Sequence, residues 1–299
     1  MGGAERYIDA QLPRGSVMAL RLVASAGLNM FAVDDDGVLR YYQYEGHGEP
    51  NPAPGNYNWA DVSGVPIGHG WEDVTWILPY FGSTEIVILA VRDNGDVHWY
   101  GWNPDPIVSD WSGTNGWSAN SGNIVGHGFD GLEHVVSWGT TFDGGSGLLC
   151  VDPDGAMRWY YYEGHGEWDP TGAQGWRPNS GNVIGHKWTG LQRLVGSTDT
   201  LFGVTPDGNL HWYRYTGSGV ADPTGTQGWD TNSGNSIGNG WNSLTGLTSY
   251  TFDQEHHYLF GIEPSGQLRW YEYHGLGEDD PAASIGWHPN SGNVISAGW

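Results

Sequence analysis

One pattern recurs five times in a single register: Gly37-Val38-Leu39-Arg40-Tyr41-Tyr42, Gly95-Asp96-Val97-His98-Trp99-Tyr100, Gly155-Ala156-Met157-Arg158-Trp159-Tyr160, Gly208-Asn209-Leu210-His211-Trp212-Tyr213 and Gly266-Gln267-Leu268-Arg269-Trp270-Tyr271. The leading glycines are 58, 60, 53 and 58 residues apart. A fixed period of that length marks a repeat architecture, and it accommodates four short strands with their loops better than a pair of helices. Apolar runs such as Leu148 to Val151 and Leu201 to Val204 enter turns Asp152-Pro153-Asp154-Gly155 and Thr205-Pro206-Asp207-Gly208. Proline presets φ in such a turn and the closing glycine accepts φ > 0, so a hairpin follows. The returning strand, Leu210 to Tyr215, carries the aromatic residues that suit a pleated, half-buried surface.

Two further strands flank each hairpin. Asn182-Val183-Ile184 leads through Gly185-His186-Lys187-Trp188 to Leu191–Ser197, and the same series stands at Ile67–Trp71, Val125–Phe129, Ile237–Trp241 and Ile295–Trp299. The fifth series stops at Trp299, while Ala19 to Ser25 aligns with Leu191 to Ser197 and supplies the strand that the last repeat lacks. Closing the ring in this way leaves no open sheet edge between first and last repeats. The expectation is an all-β, five-bladed β-propeller of four-stranded antiparallel blades, closed by the N-terminal strand, with residues 1–299 forming one domain. No window shows a convincing 3.6-residue apolar period, so helix is expected to be nearly absent.

The series hydrophobic-Gly-x-Gly-Trp, strand, Pro-Asp-Gly-x-Leu, aromatic strand resembles the tachylectin-2 family of five-bladed propeller lectins over essentially the whole chain. That resemblance implies a lectin in which each blade contributes a pocket for an N-acetylated hexosamine. The repeats here, at about 58 residues, are longer than the family unit. The extra length lies in the loop after the aromatic strand, where pocket shape and sugar identity would be set.

The enlarged loop is itself repeated. It runs through Asp169-Pro170, Asp222-Pro223 or Asp280-Pro281, then Gly-Trp, then Asn-Ser-Gly-Asn. The second repeat keeps Gly116-Trp117 and Asn120 to Asn123 but lacks the Gly-x-Gly portion, and the first keeps Trp59 but has Val62 and Val65 for the asparagines. An indole face packs on the apolar face of a pyranose, and a carboxamide both donates and accepts hydrogen bonds. Trp117 with Asn120, Trp176 with Asn179, Trp229 with Asn232, and Trp287 with Asn290 are therefore the candidate carbohydrate-binding residues. Asn-Ser-Gly-Asn is equally good turn chemistry, and the other recurrent tryptophans, Trp71, Trp188, Trp241, Trp299, Trp99, Trp159, Trp212 and Trp270, read as blade-to-blade packing. The loop histidines His47 and His165 and the repeated His69, His127 and His186 read as exposed or hydrogen-bonding side chains.

Other functions are tested against the same sequence. A glycoside hydrolase needs two carboxylates across one sugar, and on a propeller these would come from the innermost strands. The aligned inner position holds Arg21, Trp76, His134, Arg193 and Gly246, with Glu133 and Gln192 expected to face the other way by period-2 alternation. Arg21, Trp76, His134 and Arg193 remain as an alternative axial site for a small molecule, and no catalytic residue is assigned. Asp34-Asp35-Asp36-Gly37 occupies the hairpin turn, and Asp253-Gln254-Glu255-His256-His257 lacks the spaced second set that a metal needs; no metal and no cofactor is expected. With 11 basic and 34 acidic side chains the net charge is −23, and Lys187 is the only lysine. Nucleic acid lacks its cationic footprint here, and the same field disfavours anionic glycans, which leaves neutral or N-acetylated glycans as partners. A protein-interaction scaffold is a further alternative, requiring an exposed apolar patch. A lone Cys150, no amino-terminal signal and no long apolar stretch favour a cytoplasmic location without membrane insertion, release by a route needing no signal peptide staying open. Oligomeric state is not legible.

Overall fold

In the computed structural model the described residues are 20–50, 58–82, 84–139, 146–251 and 255–299. The amino-terminal stretch Met1–Ala10, Ala19 and the pair Asp253-Gln254 lie outside the described residues. Five four-stranded antiparallel sheets are formed, each in simple chain order. The first blade comprises β1 (Leu20–Ala26), β2 (Asn29–Asp34), β3 (Leu39–Gln43) and β4 (Val65–Gly68); the second β5 (Val74–Phe81), β6 (Ile86–Arg92), β7 (Val97–Trp102) and β8 (Asn123–Gly126). The third has β9 (His134–Trp138), β10 (Ser146–Val151), β11 (Met157–Tyr162) and β12 (Asn182–Gly185). The fourth has β13 (Arg193–Ser197), β14 (Thr200–Val204), β15 (Leu210–Arg214) and β16 (Asn235–Gly238), and the fifth β17 (Gly246–Thr251), β18 (His257–Ile262), β19 (Gln267–Tyr273) and β20 (Asn293–Ala297). The helix among the described residues is a single 3₁₀ turn, Trp241–Ser243, and none is long and apolar enough to cross a membrane.

The expected hairpin turns are in place. In the third blade Gly155 takes φ 81° and its N–H donates to the Asp152 carbonyl at 2.8 Å. The acid that opens the turn is used within the blade: Asp34, Asp152 and Glu263 pair with Arg40, Arg158 and Arg269 at 3.1, 2.7 and 2.6 Å. Asp34 also accepts the backbone N–H groups of Asp36 and Val38, so the acidic run Asp34–Asp36 is turn chemistry, as its position implies.

The second strand of each blade is buried end to end or nearly so, as in β10 and β14. A sheet buried on both faces needs apolar residues at successive positions rather than alternation, which is why these strands read as continuous runs. Between blades an aromatic residue two or three positions beyond each outermost strand, Trp71, Phe129, Trp188, Trp241 or Trp299, packs on a tyrosine and a tryptophan of the next blade. The ring separations are 4.5 and 5.1 Å for Trp188 with Tyr213 and Trp229, and 4.5 and 5.6 Å for Trp299 with Tyr42 and Trp59.

That last triad lies between the fifth and first blades. The seam is also closed at the centre, where β1 contacts both β5 and β17, and the Ser25 hydroxyl bonds Thr248 Oγ1 and the Ser249 carbonyl, each at 2.9 Å. The N-terminal strand thus closes the ring as the innermost strand of its own blade, by packing against β17 rather than by joining the fifth sheet.

Candidate functional site

The enlarged loop is shaped by its aspartate. Asp222 Oδ1 accepts Thr224 N–H at 2.8 Å and Oδ2 accepts Thr226 and Gln227 N–H at 2.5 and 2.7 Å; Asp169 does the same for Thr171, Ala173 and Gln174. Backbone donors favour the charged carboxylate, and they hold Asp169 and Asp222 well below the usual range; Asp110, bonded first to Ser112 and then to backbone, is lowered to about 2. The aspartate N–H groups anchor each loop onto the preceding blade, Asp222 to the Val183 carbonyl at 2.9 Å and Asp280 to Ser236 at 2.7 Å.

The candidate loop tryptophans follow the same direction. Their indole Nε1 donates to a carbonyl of the preceding blade's outermost strand: Trp117 to Ile67, Trp176 to Val125, Trp229 to Ile184 and Trp287 to Ile237, at 2.8, 2.6, 2.9 and 2.9 Å. All four rings are half-buried. The asparagines point to the following blade instead. Asn120, Asn179, Asn232 and Asn290 donate from Nδ2 to the carbonyls of His165, Ser218, Leu276 and His47 at 2.9, 3.0, 2.8 and 2.8 Å. Asn123, Asn182, Asn235 and Asn293 likewise donate to Gly166, Gly219, Gly277 and Gly48.

The candidate pairs are therefore regrouped. Trp176 and Asn179, three residues apart, face opposite junctions; Asn120 faces the junction of Trp176, Asn179 that of Trp229, Asn232 that of Trp287, and Asn290 that of Trp59. One of the two N–H donors of each carboxamide is spent on the protein, and among the described residues nothing donates to the carboxamide oxygens of Asn120, Asn179, Asn232 and Asn290. The Gly-x-Gly segment that receives these bonds rests on the partner blade's strand tryptophan. A Cβ on Gly48, Gly166, Gly219 or Gly277 would meet the ring of Trp270, Trp99, Trp159 or Trp212 at 2.0 to 2.2 Å, and each glycine has φ between 72° and 75°. Only glycine serves there.

One junction is different, and the difference is consistent on both sides. Between the first and second blades Val62 and Val65 replace the asparagines, Tyr41 replaces the strand tryptophan and the second blade lacks Gly-x-Gly. Trp102 fills the gap against Tyr41 and Phe31, with ring centroids at 5.1 and 6.0 Å.

On the axis, the inner strands surround a cavity of about 560 Å³. Its aligned residues also reach toward the next blade: Arg21 donates to the Val74 carbonyl at 2.7 Å and to Trp71, Arg193 to Leu244 at 3.2 Å, and the His134 ring nitrogen lies 3.2 Å from the Leu191 carbonyl. Burial lowers the His134 pKa, and Trp76 meets its ring edge-on at 6.4 Å. A bulge between Leu20 and Leu22 puts Leu22, not Arg21, opposite Val33, where Arg193 stands opposite Val204; Arg21 still makes the equivalent bond. Glu133 and Gln192 precede β9 and β13 and border the cavity together with Glu263, and Gln192 donates from Nε2 to the Asn242 carbonyl at 3.1 Å.

Four tryptophans fall outside the recurrent positions and the axial set: Trp102 and Trp138 are buried, whereas Trp111 and Trp168 are 63% and 65% exposed, each adjacent in sequence to a loop aspartate. His69, His127 and His186 are exposed, with His127 Nδ1 2.6 Å from Asp96. Cys150 is buried, and desolvation raises its thiol pKa well above the ordinary value.

The structure of AofleA from Arthrobotrys oligospora aligns over 91% of this chain and 69% of its own with 12% identity and a TM-score of 0.45. SapL1 lectin, solved with alpha methyl fucoside, aligns over 91% and 79% with 16% identity and a TM-score of 0.46, and an Aleuria aurantia lectin variant, solved with Fucalpha1-6GlcNAc, over 93% and 79% with 16% and 0.46. No curated protein matches the chain in sequence. The Tachylectin family profile matches residues 32–299, from within the first blade to the final tryptophan, and the chain belongs to that lectin family.

Proposed function

We propose that this protein is a non-catalytic, multivalent lectin that binds neutral or N-acetylated sugars at its blade junctions. The observation that carries the reading is the fourfold recurrence of one constellation: an asparagine whose carboxamide oxygen is unengaged, a Gly-x-Gly segment from the next blade, and the loop tryptophan of that blade. The oxygen can accept from a sugar hydroxyl or acetamido N–H, while indole surface offers a partner for a pyranose C–H face. Four junctions share the constellation and the fifth, between the first and second blades, does not, so four sites per chain are expected, the one at Trp59, whose ring is buried, offering the least indole surface. Clustering weak sites on one rigid ring raises avidity for multivalent glycans without new contacts. The net charge of −23 favours uncharged ligands.

Isothermal titration with N-acetylglucosamine, N-acetylgalactosamine, fucose and galactose, fitted for stoichiometry, tests the proposal. Saturation near four per chain supports it, with loss of one site in Asn179→Leu. A stoichiometry near one moves the ligand to the axial cavity, and absence of binding to every sugar overturns the reading.

A further inference from the structure

We propose that His256, Glu272 and His274, in the fifth blade, bind one divalent transition-metal ion of the zinc class. Read along the chain, the run Asp253 to His257 lacks a second ligand set; the sheet supplies it. In the register of β18 and β19, His257 lies opposite Tyr273 and Tyr258 opposite Glu272. Glu272 and His274 flank Tyr273 and so share the face opposite to its ring, and His256, one residue before β18, reaches the same face. Ligand atoms of the three side chains all lie within 4.8 Å of one another. His274 Nε2 is 2.8 Å from Glu272 Oε1, and the His256 and His274 rings are 4.9 Å apart.

The charge arrangement distinguishes this spot from its counterparts. The position of Glu272 is Arg214 in the fourth blade, where it pairs with Asp199 at 2.7 Å. In the third it is Tyr161, over which the Arg177 guanidinium sits at 3.9 Å. The fifth blade places a carboxylate there, 6% exposed, and its ionisable partner among the described residues is a histidine, not an arginine. A buried carboxylate without a permanent cation is costly. A metal ion held by two imidazoles and that carboxylate removes the cost and uses all three groups.

Two histidines with one glutamate are a ligand set suited to zinc, three protein ligands leaving one coordination position for water. The His274 side chain is 41% exposed, so the three groups lie within reach of solvent. Ligand atoms about 3.3 Å apart satisfy tetrahedral bonds of roughly 2.0 Å, a separation that rotation of the histidine side chains can reach from the one observed. The inference is independent of the sugar sites, since none of the three residues belongs to the junction constellation.

The test is equilibrium titration of tag-free, chelator-treated protein with zinc ion, alongside Glu272→Gln and His274→Ala, with cobalt ion absorbance as a report of low coordination number. Circular dichroism and the denaturation midpoint of each variant verify folding. One zinc per chain in the wild type, with affinity reduced tenfold or more in both folded variants, is the expected result. Zinc binding that survives in both variants places the ion elsewhere and overturns the assignment. Absence of binding up to millimolar zinc overturns it as well.

Discussion

Replacing Trp299 by alanine tests whether the ring is sealed as firmly where the chain's two ends meet as at its internal junctions. The ring of Trp299 is 7% exposed and lies between Tyr42 and Trp59 of the first blade. Burying an indole removes roughly 150–250 Å² from water, which at about 25 cal/mol/Å² is about 4–6 kcal/mol; truncations of buried tryptophan cost about 3–5 kcal/mol. About 4 kcal/mol is therefore expected, a large share of the roughly 5–15 kcal/mol by which domains are stable. With a guanidinium m-value of about 4 kcal/mol/M the midpoint falls by about 1 M. Trp188→Ala is the control, because Trp188 is also 7% exposed and makes the same triad at an internal junction. Equal losses mean that packing alone makes the seam equivalent to a covalently continuous junction. A loss below about 1 kcal/mol for Trp299→Ala beside a full loss for Trp188→Ala would refute the argument, leaving closure to β1 against β17 alone.

Gly219→Ala puts a methyl 2.2 Å from the Trp159 ring at φ 72°, so strain and overpacking together should cost about 3 kcal/mol in chemical denaturation; a loss within 0.5 kcal/mol, on the scale of ordinary surface changes, would count against the close approach. The depressed carboxyls of Asp169 and Asp222 stabilise the fold fully above the unfolded value of about 3.9, and that contribution is lost as pH falls through the lower folded value. Denaturation midpoints should consequently hold steady in this respect down to about pH 4 and fall below it, with a shallower fall in Asp222→Asn; identical acid slopes would contradict this. Val62→Asn should leave sugar stoichiometry unchanged by titration, because the second blade has no Gly-x-Gly segment to receive the carboxamide, and a gain of one site would show that the asparagine suffices.

Within one blade nearly everything was legible. The strands, the Asp-Pro-Asp-Gly turn and the aromatic returning strand depend on neighbours a few residues away, and β10 and β14 begin within two residues of the runs that announce them. The pairing of Trp176 with Asn179 was not legible. Both lie in one loop, yet one bonds to the second blade and the other to the fourth. Proximity in a loop says nothing of which side of the loop a residue faces.

The period by itself determined the number of blades, their strand order and the closed ring, because each repeat writes out its own local hydrogen-bonding and turn chemistry. Tertiary structure decided what happens between repeats. It showed that the valines of the first repeat and the missing Gly-x-Gly of the second are two halves of one altered junction. It also brought His256 beside Glu272 and His274, across a hairpin whose register, and not whose sequence spacing, sets the distance between their side chains.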